Sequence, residues 1–232
     1  MTTKPAGTEW AARDQLEGST TARALEYESK RMAGYSETGQ RLLQLAQRVR
    51  VPAGFILAPL MLIAARPTRF SLAVGAAVAM IGLGVRAWAS GCLKKNEELA
   101  ILGPYSYTRN PLYLGTFVLG LGISISTGSW WFAGIFVGFY MLLYIPVMIA
   151  EAQTLRRLFP NDYPAYSERV PLLVPRFRGS GSPLPGSHLS DRKSGDGRVF
   201  DFSLYIRHRE YRALLGFVAV LGILILKAWL SP

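Results

Sequence analysis

The chain contains a single cysteine and two histidines among 232 residues. With Cys92 alone, an intramolecular disulfide framework is excluded. His188 and His208 lie far apart in the sequence and have only that one thiol to accompany them, so the pattern does not indicate a metal site. No Ser-His-Asp set, Cys-His set or phosphate-binding loop can be assembled, and none of those catalytic classes is expected.

Charged residues are also scarce, at 18% of the chain, whereas half of the residues are hydrophobic. The hydrophobic residues form uninterrupted blocks close to the length of a bilayer span. These blocks are Val51–Ala65, Phe70–Val85, Leu112–Thr127, Trp130–Ala150 and Ala213–Leu230, the last interrupted by Lys227. The sequence therefore predicts an all-α polytopic membrane protein with about five transmembrane helices. Because Pro52 and Pro59 interrupt the first block, a kinked or re-entrant segment is an alternative there.

The net charge of +11 does not form the single basic face typical of a nucleic-acid-binding protein. Lysine and arginine fall mainly in the N-terminal segment and in alternate connections, whereas the first connection carries only Arg66 and Arg69. The positive-inside rule then predicts a cytosolic N-terminus, a cytosolic connection before Pro111 and an external C-terminus. Membrane lipids are the expected surroundings and nucleic acid is not an expected partner.

Composition divides the chain into four parts. Leucines at helical spacing over Glu37–Val49 predict an amphipathic helix, lying either on the membrane surface or against the protein's own cytosolic face. The first fifty residues contain no secretory signal pattern. The predicted parts are a cytosolic tail with that helix at 1–50, a membrane core at 51–178, a Gly/Ser/Pro-rich linker at 179–198 and a C-terminal helix at 199–232 that Ser203 opens.

Two of the apolar blocks are joined only by Thr127-Gly128-Ser129. Such a short connection predicts a tight antiparallel helical hairpin. Neighbouring helices pack roughly 8 to 10 Å apart, so Pro111 at the start of the hairpin and Glu151 at its end are expected to face each other.

The stretch from Gly103 to Gly115 combines tyrosines, an arginine and turn residues directly before an apolar helix. Asn110 followed by Pro111 is typical of a helix start, with a capping amide and a residue whose φ suits the first helical position. The free N–H groups and dipole of that helix start favour an anion such as a carboxylate.

The hairpin brings this stretch towards a second polar cluster that follows Glu151. The resulting pocket at the membrane edge contains rings for stacking, arginines for a carboxylate and a carboxylate for a cation. Its residues are Tyr105, Tyr107, Arg109, Asn110, Tyr113, Glu151, Tyr163, Tyr166 and Arg169. A ligand with an aromatic base and an amino-acid end would fit these groups.

Two blocks carry a resemblance to a known family. The first is Gly103-Pro104-Tyr105 with the run from Arg109 to Gly115, and the second runs from Glu151 through Tyr163, Tyr166 and Arg169 to Pro175. Together they resemble the isoprenylcysteine carboxyl methyltransferase and phospholipid methyltransferase group of integral membrane enzymes. The chain departs from that group at Asn110, where a histidine is common, and at Ala152, where a second acid often follows the first.

The resemblance implies S-adenosylmethionine as the methyl donor, bound on the cytoplasmic side, and a lipophilic or lipid acceptor. It implies catalytic roles for Glu151 and Arg169. The implied donor-binding residues are Gly103, Tyr105, Arg109, Asn110, Pro111, Tyr113, Leu114, Glu151, Tyr163 and Tyr166.

Several alternatives stay open at this point. Asn110 can act as a cap only, and Glu151 can pair with Arg156 or Arg169. A nicotinamide-dependent membrane reductase or a non-catalytic membrane scaffold is the alternative function. The sequence identifies neither the methyl acceptor, which can be an isoprenylcysteine-like carboxylate or a lipid amine, nor the oligomeric state.

Overall fold

The computed structural model describes residues 37–93, 99–176 and 200–230. The chain divides into two compact units, Met1–Leu45 and Ala46–Pro232, and of the first unit only residues 37–45 are described. The described residues form helices and no strand, which confirms the predicted all-α class. The predicted N-terminal tail, apart from its helix, and the predicted linker lie outside the described residues.

The described residues form seven α-helices and one short 3-10 turn. In chain order they are α1 (Glu37–Ala64), α2 (Arg69–Gly91), the 3-10 turn (Gly103–Ser106), α3 (Pro111–Ser126), α4 (Trp130–Leu158), α5 (Tyr163–Arg169), α6 (Phe202–Arg207) and α7 (Tyr211–Leu230).

Three of these helices are long and apolar enough to cross a membrane: α2 with 23 residues, α4 with 29 and α7 with 20. The apolar part of α1, Pro52–Ala64, and the whole of α3 are shorter apolar helices. All five apolar segments predicted from the sequence are thus helical, and the chain is an integral membrane protein. Helix α1 runs unbroken through the predicted boundary at residue 50, with Pro52 and Pro59 inside it, so the predicted amphipathic helix and first span are one helix.

Helix α2 begins where Thr68 and Ser71 form a reciprocal capping box. The Ser71 amide donates to the Thr68 hydroxyl over 3.1 Å, and the Thr68 amide donates to the Ser71 hydroxyl over 2.9 Å. Two of the four free N–H groups at this helix end are thereby satisfied. The cap explains why the connection after α1 is short and turns the chain back at Arg69.

Helices α2 and α3 approach each other through glycines. A Cβ atom added at Gly82 would lie 2.7 Å from the carbonyl oxygen of Gly115, and one added at Gly122 would lie 2.6 Å from that of Gly75. Only glycine leaves room for this contact, and small residues are the usual means of close helix packing in membranes. Gly75 and Gly82 of α2 take part in this contact, whereas Gly84 does not, since nothing lies within 4 Å of an added Cβ there.

The predicted hairpin of α3 and α4 is formed, and its turn contacts the connection after α1. Gly128 adopts a left-handed φ of 79°, and an added Cβ would collide with the carbonyl oxygen of Arg66. The Arg66 amide donates to the Thr127 carbonyl over 2.8 Å. These two connections therefore lie at the same end of the bundle.

The C-terminal end of α7 reaches this same end. The Lys227 ammonium donates to the carbonyl oxygens of Leu62 at 3.0 Å and Ile63 at 2.5 Å, which are free acceptors in the last turn of α1. Trp130 and Trp229 lie at the corresponding ends of α4 and α7 and are 81% and 77% exposed. Exposed tryptophans at helix ends are typical of a membrane–water interface.

The structure of the C-terminal segment differs from the prediction. The sequence predicts one helix from Ser203 to Leu230, whereas the structure has α6 and α7 with a break between them. Asp201, not Ser203, caps α6, by accepting from the Ser203 amide over 2.8 Å. Arg209 has a φ of 56°, a left-handed conformation that no helix interior accommodates, and the helix therefore ends before it.

Candidate functional site

The 3-10 turn holds Tyr105 inside the bundle. Gly103 enters the turn with a φ of 61°, and a Cβ added there would lie 3.3 Å from the Cys92 sulfur. Pro104 stands in the first turn, where its missing N–H costs nothing. Gly103 thus shapes the backbone, and Tyr105 is buried against Ala89 and Cys92.

Helix α3 begins at Pro111 as predicted, but the cap interpretation of Asn110 is wrong. Its side chain makes no capping hydrogen bond, and its Nδ2 instead donates to the Leu172 carbonyl over 3.0 Å. The backbone explains this, because Asn110 has φ −128° and ψ 60°, outside the extended geometry usual for a capping residue. The side chain therefore fastens the start of α3 to the segment after α5.

The same fastening extends over several neighbouring residues. The Arg109 amide donates to the Pro171 carbonyl over 2.9 Å, and the Arg176 amide donates to the Tyr107 carbonyl over 2.9 Å. The Thr108 hydroxyl is buried and lies 3.0 Å from the Leu173 carbonyl oxygen. Residues 107–110 and 171–176 are therefore one unit, although helices α3, α4 and α5 separate them in sequence.

The second sequence block brings two buried tyrosines to the first block. The Tyr166 hydroxyl donates to the Tyr105 carbonyl over 2.7 Å, and Arg109 Nη1 donates to the Tyr163 hydroxyl over 3.3 Å. The two tyrosine rings meet edge to face at 6.1 Å. Four of the residues proposed from the sequence thus form one cluster, which we call the tyrosine–arginine cluster: Tyr105, Arg109, Tyr163 and Tyr166.

Two polar atoms of the tyrosine–arginine cluster are buried without a hydrogen-bond partner in the described part of the chain. They are the hydroxyl of Tyr105 and the Nε of Arg109. Burial of an unpaired donor costs about 1 to 3 kcal/mol, so such atoms in a folded protein indicate a bound partner. Both are N–H or O–H groups and would donate to an acceptor on a ligand.

Burial raises the pKa of the Tyr105 hydroxyl well above its usual range, and Tyr166, Glu151, Cys92 and Glu210 raise it further. A raised pKa means that the hydroxyl stays protonated and acts as a donor. The pKa of Tyr166 is raised too, first by burial and then by Tyr163.

The two residues predicted to be catalytic lie outside the buried cluster. Helix α4 continues past Glu151 to Leu158, and the Glu151 side chain is exposed. Among the described residues no ion pair joins it to Arg156 or Arg169. Arg169 is exposed at the end of α5, and among the described residues its side chain forms no hydrogen bond or ion pair with the tyrosine–arginine cluster.

The remaining predicted residues lie along the first turns of α3. Pro111 is buried, and Leu114 is half-buried. The Tyr113 carbonyl accepts a 2.7 Å hydrogen bond from the Tyr140 hydroxyl of α4, and the Tyr113 ring meets Tyr144 edge-on at 5.9 Å. Tyr113 thus joins the two helices of the hairpin.

Sequence reasoning missed three residues near this site: Thr108, Arg86 and Glu210. Arg86 follows the end of the predicted apolar block at Val85, but α2 continues past it to Gly91, so Arg86 lies inside the helix. Its guanidinium forms an ion pair with Glu210, 2.7 Å between Nη2 and Oε2. The sequence did contain a signal for this pair. A charged residue within an apolar run requires a partner in a membrane, so Arg86 indicated that such a partner exists.

The apolar helices and the polar cluster at their ends define an integral membrane protein with a buried site at one end of its bundle. Residues 68–162 match the phospholipid methyltransferase family, which confirms the family resemblance of the sequence over that segment. The match supports a membrane methyltransferase. No solved structure gives a significant match.

Two curated relatives carry names from metal resistance. The chain is 37% identical over 84 residues to the nickel-cobalt-cadmium resistance protein NccN of Alcaligenes xylosoxydans xylosoxydans, covering 36% of this chain and 39% of that protein. It is 31% identical over 113 residues to the cobalt-zinc-cadmium resistance protein CzcN of Cupriavidus metallidurans. That match covers 47% of this chain and 51% of CzcN. The matched part is thus about half the length of these relatives or less. Among the described residues no group of three or more His, Cys, Asp or Glu could hold a metal ion.

Proposed function

We propose that this chain is an S-adenosylmethionine-dependent methyltransferase that methylates a membrane-partitioned acceptor. The proposal rests on two buried donors, the Tyr105 hydroxyl and Arg109 Nε, that no described residue accepts from. Both lie inside the segment that matches a methyltransferase family. The donor site lies around the tyrosine–arginine cluster, which the charge distribution assigns to the cytoplasmic side.

The residues present fit the chemistry of this donor. Arg109 Nε and the Tyr105 hydroxyl can donate to the carboxylate of its methionine end, as charge-assisted hydrogen bonds. Tyr163 and Tyr166 are already engaged with Arg109 and with the Tyr105 carbonyl, and therefore hold those two donors in place. Glu151 offers an exposed carboxylate to a cation.

The bound donor supplies an electrophilic methyl group on a sulfonium. The protein's part is to position the nucleophile in line with that methyl group and to exclude water. A carboxylate acceptor needs no base. For an amine acceptor, Glu151 would take the proton before transfer. The acceptor enters from the lipid, because the exposed surface of the helices is apolar.

Binding to the purified protein in detergent tests the proposal. We expect calorimetry to show binding of S-adenosylmethionine and none of a reduced nicotinamide cofactor. With methyl-labelled donor and a total lipid extract, label should enter the lipid fraction.

Tyr105→Phe, which removes only the hydroxyl that no described residue bonds, should weaken donor binding. Tyr205→Phe is the matched control, since that half-buried ring stacks on Phe202 in α6. Nicotinamide binding without donor binding would replace the proposal with a reductase, and binding of neither would favour a scaffold.

A further inference from the structure

A second polar group lies inside the bundle, between α2, α3 and the start of α7. Arg86 lies in α2, at about 7 Å from the end of the helix at Gly91 given the usual rise per residue. Its Nε and Nη2 both donate to Glu210 Oε2, at 3.0 and 2.7 Å. Its Nη1 donates to the hydroxyl of Thr116 on α3. One guanidinium thus joins α2, α3 and the residue that precedes α7.

The structure makes specific room for this guanidinium. A Cβ added at Gly115 would lie 2.6 Å from the Arg86 Cγ, so the arginine side chain crosses α3 where α3 has no side chain. The Thr116 hydroxyl also donates to the Leu112 carbonyl over 2.8 Å, which fixes its orientation. The Arg86 side chain, which starts from α2, is therefore also fixed by its contacts with α3, in addition to its bonds to Glu210.

The Glu210 carboxylate is only half used by these contacts. Both hydrogen bonds from Arg86 go to Oε2, and no described residue donates to Oε1. The side chain is nevertheless 11% exposed, against 20% for Arg86. The unused oxygen is not one of the fully buried atoms, so it is accessible to a ligand that carries a cation or a donor.

The break between α6 and α7 brings Glu210 to this place. His208 Nδ1 lies 3.2 Å from the Ser90 carbonyl oxygen, and the Asp201 amide donates to the Gly91 carbonyl over 3.1 Å. The segment between these contacts thereby covers the end of α2. The left-handed Arg209 then turns the chain so that Glu210 reaches Arg86.

Tyr105 connects Glu210 to the proposed donor site through packing. Its cluster includes Ala89 of α2 and packs against Leu112 of α3, which lie about one helical turn from Arg86 and Thr116 respectively. The Tyr105 side chain is 6% exposed, and no described residue bonds its hydroxyl. Glu210 also lies beyond residues 68–162, so the family match assigns it no role.

We propose that Glu210 is a further donor-binding residue, whose Oε1 binds the cationic methionine end of S-adenosylmethionine, with Arg86 as its positioning residue. This inference rests on the proposed function. It makes the break between α6 and α7, where Glu210 lies, part of the active site.

The test measures the affinity of Glu210→Gln for two ligands. S-adenosylmethionine carries a sulfonium, whereas S-adenosylhomocysteine carries a neutral thioether, and both carry the ammonium. We expect the affinity for S-adenosylmethionine to fall roughly 10-fold or more, as for a lost hydrogen bond to a charged group. An equal fall for both ligands supports contact with the ammonium, and a larger fall for S-adenosylmethionine supports contact with the sulfonium.

A second variant separates binding from folding. Glu210→Gln alone leaves Arg86 without its partner and is expected to destabilise the protein, whereas Arg86→Gln combined with Glu210→Gln removes both charges. We expect the double variant to unfold at a temperature near that of the wild type and to keep the weakened donor affinity. Normal donor affinity in the folded double variant would overturn the inference. A wild type that binds no donor would overturn the proposed function as well.

Discussion

The hydroxyl of Tyr166 donates a 2.7 Å hydrogen bond to the backbone carbonyl of Tyr105. This bond joins α5 to the 3-10 turn, and both partners are buried. It fixes the backbone at Tyr105, whose own hydroxyl is buried and bonded by no described residue. The two sequence blocks thus have different roles: the second supports the first, and the first presents donors that no described residue accepts from.

Glu151→Gln distinguishes the proposed roles of this exposed acid. Because no ion pair joins it to Arg156 or Arg169 among the described residues, the substitution should leave the unfolding temperature unchanged. We expect donor affinity to fall roughly 10-fold or more, as for a lost charged hydrogen bond. Glu168→Gln, an exposed acid on α5, is the control. Unchanged donor affinity with turnover reduced roughly 100-fold would instead assign Glu151 the role of a general base.

Asn110→Asp tests the link between Asn110 and Leu172. A capping residue tolerates aspartate, whereas a donor to a carbonyl oxygen does not, since a carboxylate can only accept. We expect Asn110→Asp to lower the free energy of unfolding by about 1 to 3 kcal/mol and to be no better than Asn110→Ala. The corresponding change at the exposed Asn161 should have little effect. Full stability of Asn110→Asp would restore the cap interpretation.

Gly82→Ala and Gly84→Ala form a matched pair within α2. The added methyl group at Gly82 would meet the backbone of α3, whereas at Gly84 nothing lies within 4 Å. Overpacking of this kind costs about 1 to 3 kcal/mol, and an unobstructed glycine-to-alanine change in a helix gains about 0.5 to 1 kcal/mol. Thermal unfolding in detergent should therefore separate the two variants in opposite directions. Equal unfolding temperatures would show that α2 and α3 are not packed at Gly82.

The predicted orientation can be tested with two engineered cysteines in a Cys92→Ser background. Arg66 lies by the hairpin turn, and Glu168 lies on α5 at the other end of the bundle. Both are exposed. We expect a membrane-impermeant thiol reagent to label Arg66→Cys in intact cells and Glu168→Cys only after permeabilisation. Labelling of Glu168→Cys in intact cells would place the site on the external side.

The local features of the fold were predictable from the sequence. Apolar blocks, the three-residue connection Thr127-Gly128-Ser129 and the Asn-Pro pair before α3 act over short distances, and the structure has the hairpin and the start of α3 where these signals place them. The meeting of Tyr105 with Tyr166 follows from the same hairpin. These features required no knowledge of how distant loops run.

The contacts that the sequence did not predict depend on such loops. Asn110 and Leu172 are 62 residues apart, and Arg86 and Glu210 are 124 residues apart. Which residues pair over that distance depends on where helices end and the chain changes direction. A left-handed arginine such as Arg209, which ends a helix here, is not signalled by the sequence. Residue type suggested a cap at Asn110, but tertiary contact with Leu172 determined its role.

The affinity of Arg109→Ala for S-adenosylmethionine tests the central claim most directly. Arg109 Nε is buried and unpartnered, while its Nη1 donates to Tyr163. Calorimetry should show donor binding to the wild type and to Arg157→Ala, an exposed control on α4. Binding to Arg109→Ala should be weaker by about 1.5 to 3 kcal/mol, or roughly 10- to 150-fold. Equal affinity of all three proteins, each folded, would contradict a donor site at the tyrosine–arginine cluster.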